Sequence, residues 1–239
     1  MLEVCVDTIQ GAKIAAEAGA DRIELCSALE LGGVTPSGPF VSAVRRLIDL
    51  PLIVLIRSRP GGFVYRDEDC EVMVEEARMA IELGADGVAI GGLTLSLGLD
   101  LPFLSSVAIA LPKCQLVMHR AFDSVCDPEV ALESLVALGF TRILTSGGGD
   151  LAIEGIAELR RLSQQALGRI EILPAGGIAA SNAAAILNET GVNQLHGSLR
   201  NAPAGGVKTA LPNAKSIQQT KAILADFILA SKRHPFPNV

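Results

Sequence analysis

The chain has no tryptophan, one tyrosine and seven phenylalanines in 239 residues, so aliphatic side chains must fill whatever core it builds. Branched aliphatics suit parallel strands buried on both faces. Charge is scarce as well. Only 19% of residues are charged, the net charge is -6, and the lysines and arginines are scattered. No basic stripe is present to neutralise a phosphate backbone, so no nucleic acid partner is expected. The opening MLEVCVDT lacks the basic and apolar regions of a secretory signal, and no apolar run approaches the length of a membrane span. A cytoplasmic protein with no membrane partner is expected. CxxC spacing is missing too. The five cysteines, Cys5, Cys26, Cys70, Cys114 and Cys126, are an odd number in a chain long enough not to need stapling, and they read as thiols.

What the chain does have is length, hydrophobicity and a repeat. With 49% hydrophobic residues it can bury a large core, and its length matches eight βα units of roughly 30 residues each. In the repeated phrase, a helix ends at glycine and a short apolar strand follows after a polar residue or two. Its copies are AAEAGADRIELCS (15–27), AIELGADGVAIGG (80–92), LVALGFTRILTSGG (135–148) and LNETGVNQLHGS (187–198). Their glycines, Gly19, Gly84, Gly139 and Gly191, lie about 60 residues apart, the length of two βα units. Between them lie LEVCVD, LIVLIR, QLVMHR and EILPAGG, which completes eight strands. The segments between are helical in period; in DEDCEVMVEEARMAIELG, Val72, Met73, Ala77, Ala80 and Ile81 are expected to share a face. An open doubly wound sheet has the same alternation, but near-equivalent copies and even strand lengths favour closure. The expectation is a single-domain α/β (β/α)8 TIM-like barrel over residues 1–239, with a long loop at about 201–215 and a last helix from about Ser216 to Lys232.

Side chains alternate along a strand, so parity sorts the interior from the helix-facing side. Val4, Val6, Ile23, Leu25, Val54, Ile56, Leu116 and Met118 face the helices. Glu3, Glu24, Arg57, His119 and His196 then face inward, as do Cys5 and Cys26. Buried charges cost several kcal/mol unless paired, and barrel sites collect at the C-terminal mouth. Glu3 lies early in its strand, where an ion pair at the bottom of the barrel competes with a role at the mouth. Just past the strand ends come Asp7, Ser27, Arg59, Arg120, Asp123, Ser146, Gly176, Gly177 and Ser198. The small residues of LPAGGI and HGS would let backbone amides approach an anion after strands seven and eight. Gly-Gly also serves a tight turn, with Ser181 capping the next helix. Cys5 and Cys26 stand on adjacent strands, roughly 4.8 Å apart. Two such thiolates suit the soft ion Cu(I), although buried cysteine also serves as a small hydrophobe.

The phrases MLEVCVDT, GADRIELCS, GGVTPS, HRAFD, RILTSGG, LPAGGI and HGS, in this order from Met1 to about Arg200, resemble the CutC family. The resemblance implies a TIM-like barrel in the cytoplasm, self-associated as a homo-oligomer, linked to copper tolerance and binding Cu(I). It carries the metal-ligand role onto Cys5 and Cys26. The chain departs from the family after strand three. Where the family reads R-P-R-G-G-D-F, this chain has Arg57, Ser58, Arg59, Pro60, Gly61, Gly62 and Phe63, so the acidic residue is gone at Gly62.

Two functions are therefore expected to compete. In the first, a copper homeostasis protein binds Cu(I) through Cys5 and Cys26, with Glu24 and His119 as accessory groups. In the second, an enzyme acts on a small anionic or phosphorylated metabolite: Glu24, Arg57 and His119 do the chemistry, and Arg59, Arg120, Asp123, Ser146, Gly176, Gly177, His196 and Ser198 hold the anion.

Overall fold

The structure is a computed structural model that describes residues 1–200 and 211–233. Eight parallel strands alternate with helices: β1 (Leu2–Val6), β2 (Arg22–Leu25), β3 (Leu52–Leu55), β4 (Gly87–Ile90), β5 (Gln115–Met118), β6 (Arg142–Thr145), β7 (Glu171–Pro174) and β8 (Leu195–Gly197). The hydrogen-bonded order is β7-β6-β5-β4-β3-β2-β1-β8. β7 and β8 close the barrel by contact, without a ladder between them. The helices are α1 (Ile9–Glu17), α2 (Gly38–Arg45), α3 (Asp67–Glu82), α4 (Leu101–Ala110), α5 (Pro128–Ala137), α6 (Ile156–Ala166), α7 (Ala180–Thr190) and α8 (Ala214–Arg233).

The repeated glycines have a physical cause. Gly19, Gly84, Gly139 and Gly191 all adopt positive φ, from 72° to 98°. That left-handed turn ends each helix and sends the chain back into a strand, a conformation that a Cβ would strain. Side chains fix several of the helix starts. Thr8 accepts from Gly11 N, Asp100 from Phe103 N and Asp127 from Val130 N.

Strand parity divides the apolar residues into two layers. Leu2, Val4, Val6, Ile23, Leu25, Val54, Ile56, Leu116 and Met118 join the large core between strands and helices. A second, small cluster fills the barrel: Cys5, Cys26, Ile53, Leu55, Ala89, Val117, Leu144, Leu173 and Ala175. Three local expectations need correction. On α3, Met73, Ala77 and Ala80 form the buried stripe, but Val72 is exposed, because it sits a full 100° of helical rotation from Met73. Ser181 lies inside α7 and does not cap it; the Asn182 carboxamide accepts from Ala179 N and donates to the Gly177 carbonyl. The last helix begins at Ala214, ahead of the expected 216, because Asn213 accepts from Ser216 N at its start. The expected loop therefore ends before Ala214, and its residues 201–210 lie outside the described ones.

Candidate functional site

The polar interior is stacked in two levels. At the N-terminal end of the strands, register sets Glu3 of β1 between Arg22 of β2 and His196 of β8. The Arg22 Nε donates to Glu3, and Arg22 Nη2 donates to Gln194 Oε1 at 3.1 Å. The other Glu3 oxygen lies 2.7 Å from His196 Nδ1. Across the barrel floor, Arg142 donates to Gln115 and to Glu171. Burial alone would raise the Glu3 carboxyl, but the His196 hydrogen bond and the Arg22 charge outweigh it and hold its pKa at about 2. Glu3 is thus the ion-paired floor residue that its early strand position allowed. Arg22 and Arg142 were missed in the sequence, although their parity with Glu24 and Leu144 points them inward.

One level up, Cys5 stands in register with Glu24, and its sulfur lies 3.7 Å from that of Cys26, which projects from just beyond the end of β2. His196 Nε2 is 3.7 Å from Glu24 Oε2. The ligand atoms of Cys5, Glu24 and His196 all lie within 4.8 Å of one another. The Cys26 hydrogen bond and burial push the Cys5 thiol well above its ordinary range, and burial likewise raises Glu24. For His196, burial opposes the proton, but the flanking carboxylates Glu24 and Glu3 prevail and raise its pKa. A thiol, a carboxyl and an imidazole therefore converge here, and burial together with their mutual contacts favours their protonated forms.

Above this group opens a cavity of about 300 Å³ at the C-terminal mouth. It is lined by Cys5, Glu24 and His196 on one side and by Arg57, His119 and Arg120 on the other, with Gly176, Gly177 and Ser198 at its rim. Cys26 lies behind Cys5, fully buried. His119 follows β5, four strands around the barrel from β1, and it does not join the Cys5 cluster. Gly91 makes room for it, since a Cβ there would come within 2.7 Å of the imidazole.

The remaining expected mouth residues play other parts. Asp123 accepts from Arg120 Nε at 2.7 Å, from Thr145 Oγ1 at 2.5 Å and from Ser146 N at 2.9 Å, tying the turn after β5 to the end of β6. Ser146 donates to the Gly149 carbonyl and accepts from Arg120. Arg59 donates to the carbonyls of Gly62 and Val64 and stacks 4.9 Å over Tyr65. Asp7 pairs with Arg200. None of Asp123, Ser146 or Arg59 lines the cavity.

A family model for the CutC family matches residues 1–201. The chain belongs to the CutC family. It is 43% identical over 208 residues to the human copper homeostasis protein cutC homolog, covering 87% of this chain and 76% of that one. The mouse homolog is 44% identical over 209 residues, with the same coverage of 87% and 76%. Among solved structures, the CutC protein of Streptococcus agalactiae superposes with a TM-score of 0.79 at 35% identity, covering 83% of this chain and 98% of that one. The Streptococcus agalactiae protein shares the barrel fold. No helix among the described residues is long and apolar enough to cross a membrane.

Proposed function

We propose that this CutC-family chain handles copper by binding Cu(I) through the Cys5 and Cys26 sulfurs, with His196 as a third donor. The observation that carries the reading is the 3.7 Å approach of the two buried sulfurs beside the cavity. Thiolates are soft donors that select Cu(I). The Glu3–His196 contact at Nδ1 supports the third donor, because a carboxylate that holds Nδ1–H fixes the ring and leaves Nε2 to face the ion. Each thiol gives up a proton on binding, so copper loading is coupled to proton release. Copper is cargo here, and the role requires no catalysis. The cytoplasmic location and self-association implied by the resemblance, and the copper roles named for the human and mouse proteins, belong to the same reading.

The test is anaerobic Cu(I) titration of the reduced protein against a competing chelator, beside the Cys5→Ser/Cys26→Ser variant and His196→Gln. One tightly held ion per chain, lost in the double variant and weakened at least about tenfold in His196→Gln, is expected. Equal binding by wild type and double variant would remove the sulfur pair from the site.

A further inference from the structure

The wall of the cavity opposite the thiols holds a cation that no carboxylate neutralises. Arg57 is 6% exposed, and no acidic group lies within salt-bridge distance of it among the described residues. Its guanidinium is fixed by backbone carbonyls: Nη1 donates to Gly32 and Gly33 at 3.2 and 3.0 Å, and Nη2 donates to Gly61 at 2.5 Å. It lies 4.9 Å from the Phe63 ring centroid. Carbonyls and a ring orient the charge without cancelling it, and Arg57 Nε stays buried with no partner. An uncompensated charge inside a protein is costly, so this geometry favours whatever anion enters the cavity.

His119 adds a donor of fixed sense. It is 4% exposed, and its Nδ1 accepts the Ala121 N–H at 3.2 Å. In the neutral ring the proton therefore sits on Nε2, which is buried without a partner. Burial, reinforced by Arg57, lowers its pKa to about 4, so the neutral ring is the form present near neutrality. At the rim, Arg120 spends Nε and Nη2 on Asp123, Ser146 and Gly149. Its Nη1 stands beside Gly176, where a Cβ would lie 3.5 Å from it. The N–H groups of Gly176 and Gly177, both at positive φ, donate to no backbone acceptor among the described residues.

We propose that Arg57, His119, Arg120 and the Gly176–Gly177 amides form a binding site for a small organic oxyanion, a phosphate monoester or a carboxylate. Two side chains more than nine-tenths buried, each with an unpartnered nitrogen and both lining the same cavity, carry the assignment. The cavity volume, about 300 Å³, sits at the small end of ligand sites, so the ligand is a compact metabolite and not a nucleotide or polymer. The site shares the cavity with the proposed copper donors but none of their residues.

The test is calorimetric titration of the reduced, metal-free protein with inorganic phosphate and, separately, with malonate. Wild type is compared with Arg57→Gln, His119→Gln and Cys5→Ser/Cys26→Ser, each checked for native circular dichroism. At least one anion is expected to bind with Kd of about 1 mM or tighter. That binding should weaken at least tenfold in Arg57→Gln or His119→Gln and persist in the double cysteine variant, and the tighter of the two anions identifies the head group. No binding of either anion up to about 10 mM, or binding that neither Arg57→Gln nor His119→Gln weakens, overturns the proposal. The cysteine variant makes this result independent of the copper titration.

Discussion

The floor and the mouth of the barrel are built from the same kinds of residue, yet they treat charge in opposite ways. On the floor, Arg22 and Arg142 each meet a carboxylate, Glu3 and Glu171, and a carboxamide, Gln194 and Gln115. At the mouth, Arg57 meets carbonyls and a ring but no carboxylate, and His119 keeps a nitrogen without a partner. The floor pairs its charges internally, as a structural layer must. The mouth leaves its buried arginine without a carboxylate beside a cavity, an arrangement that an anionic ligand completes. Glu3 and His196 join the two levels: Glu3 takes its counter-charge from Arg22 beside it and orients His196, which faces Glu24 above.

The largest effect is expected on the floor. Glu3→Ala leaves Arg22 buried without its carboxylate and should lower unfolding free energy in urea by about 3–5 kcal/mol. An effect below ~1 kcal/mol would mean that the floor is no more paired than the mouth.

The next separates the two levels by pH. His119 has a folded pKa of about 4 against an ordinary 6.5. The unfolded chain therefore takes up the proton first, and stability that is intact above 6.5 is lost as pH falls toward 4. The full loss approaches ~3 kcal/mol at 1.36 kcal/mol per unit. Glu3, held at about 2 against 4.5, loses its contribution only as pH falls below 4.5. Between pH 6.5 and 4.5 the raised Glu24 carboxyl works in the opposite sense, so the difference between wild type and His119→Gln isolates the imidazole. Unfolding curves across that window should fall more steeply for wild type, and parallel curves would contradict the neutral, buried ring.

The smallest effect belongs to Arg57. Arg57→Gln removes a charge that no acid balances, so its cost should stay below about 2 kcal/mol and below that of Glu3→Ala. A larger loss would make the mouth arginine a structural part like its floor counterparts.

Much of this was legible in the sequence because strands have a period of two. Parity alone puts Glu3, Cys5, Glu24, Cys26, Arg57, His119 and His196 inside, and the structure puts them there. The repeated glycines marked each helix end because left-handed turns select that residue. Parity does not give height, and so it did not separate Glu3 from Glu24. Nor did it show that His196, set beside Glu3 by the β1–β8 register, stands with Cys5, whereas His119 lies four strands away. Asp123 was grouped with the anion-holding residues because it follows a strand. Its hydrogen bonds from Thr145 and Ser146 instead join the turn after β5 to the end of β6, a contact between segments more than 20 residues apart.

By itself, the order of apolar, polar and glycine residues determined the eight βα units, the inner and outer faces and the family, since each depends on local period and turn chemistry. Tertiary structure decided which inward charges are paired and which are not. That depends on the register between strands and on loop carbonyls brought in from elsewhere in the chain, as where Gly32, Gly33 and Gly61 hold Arg57 in place of a carboxylate.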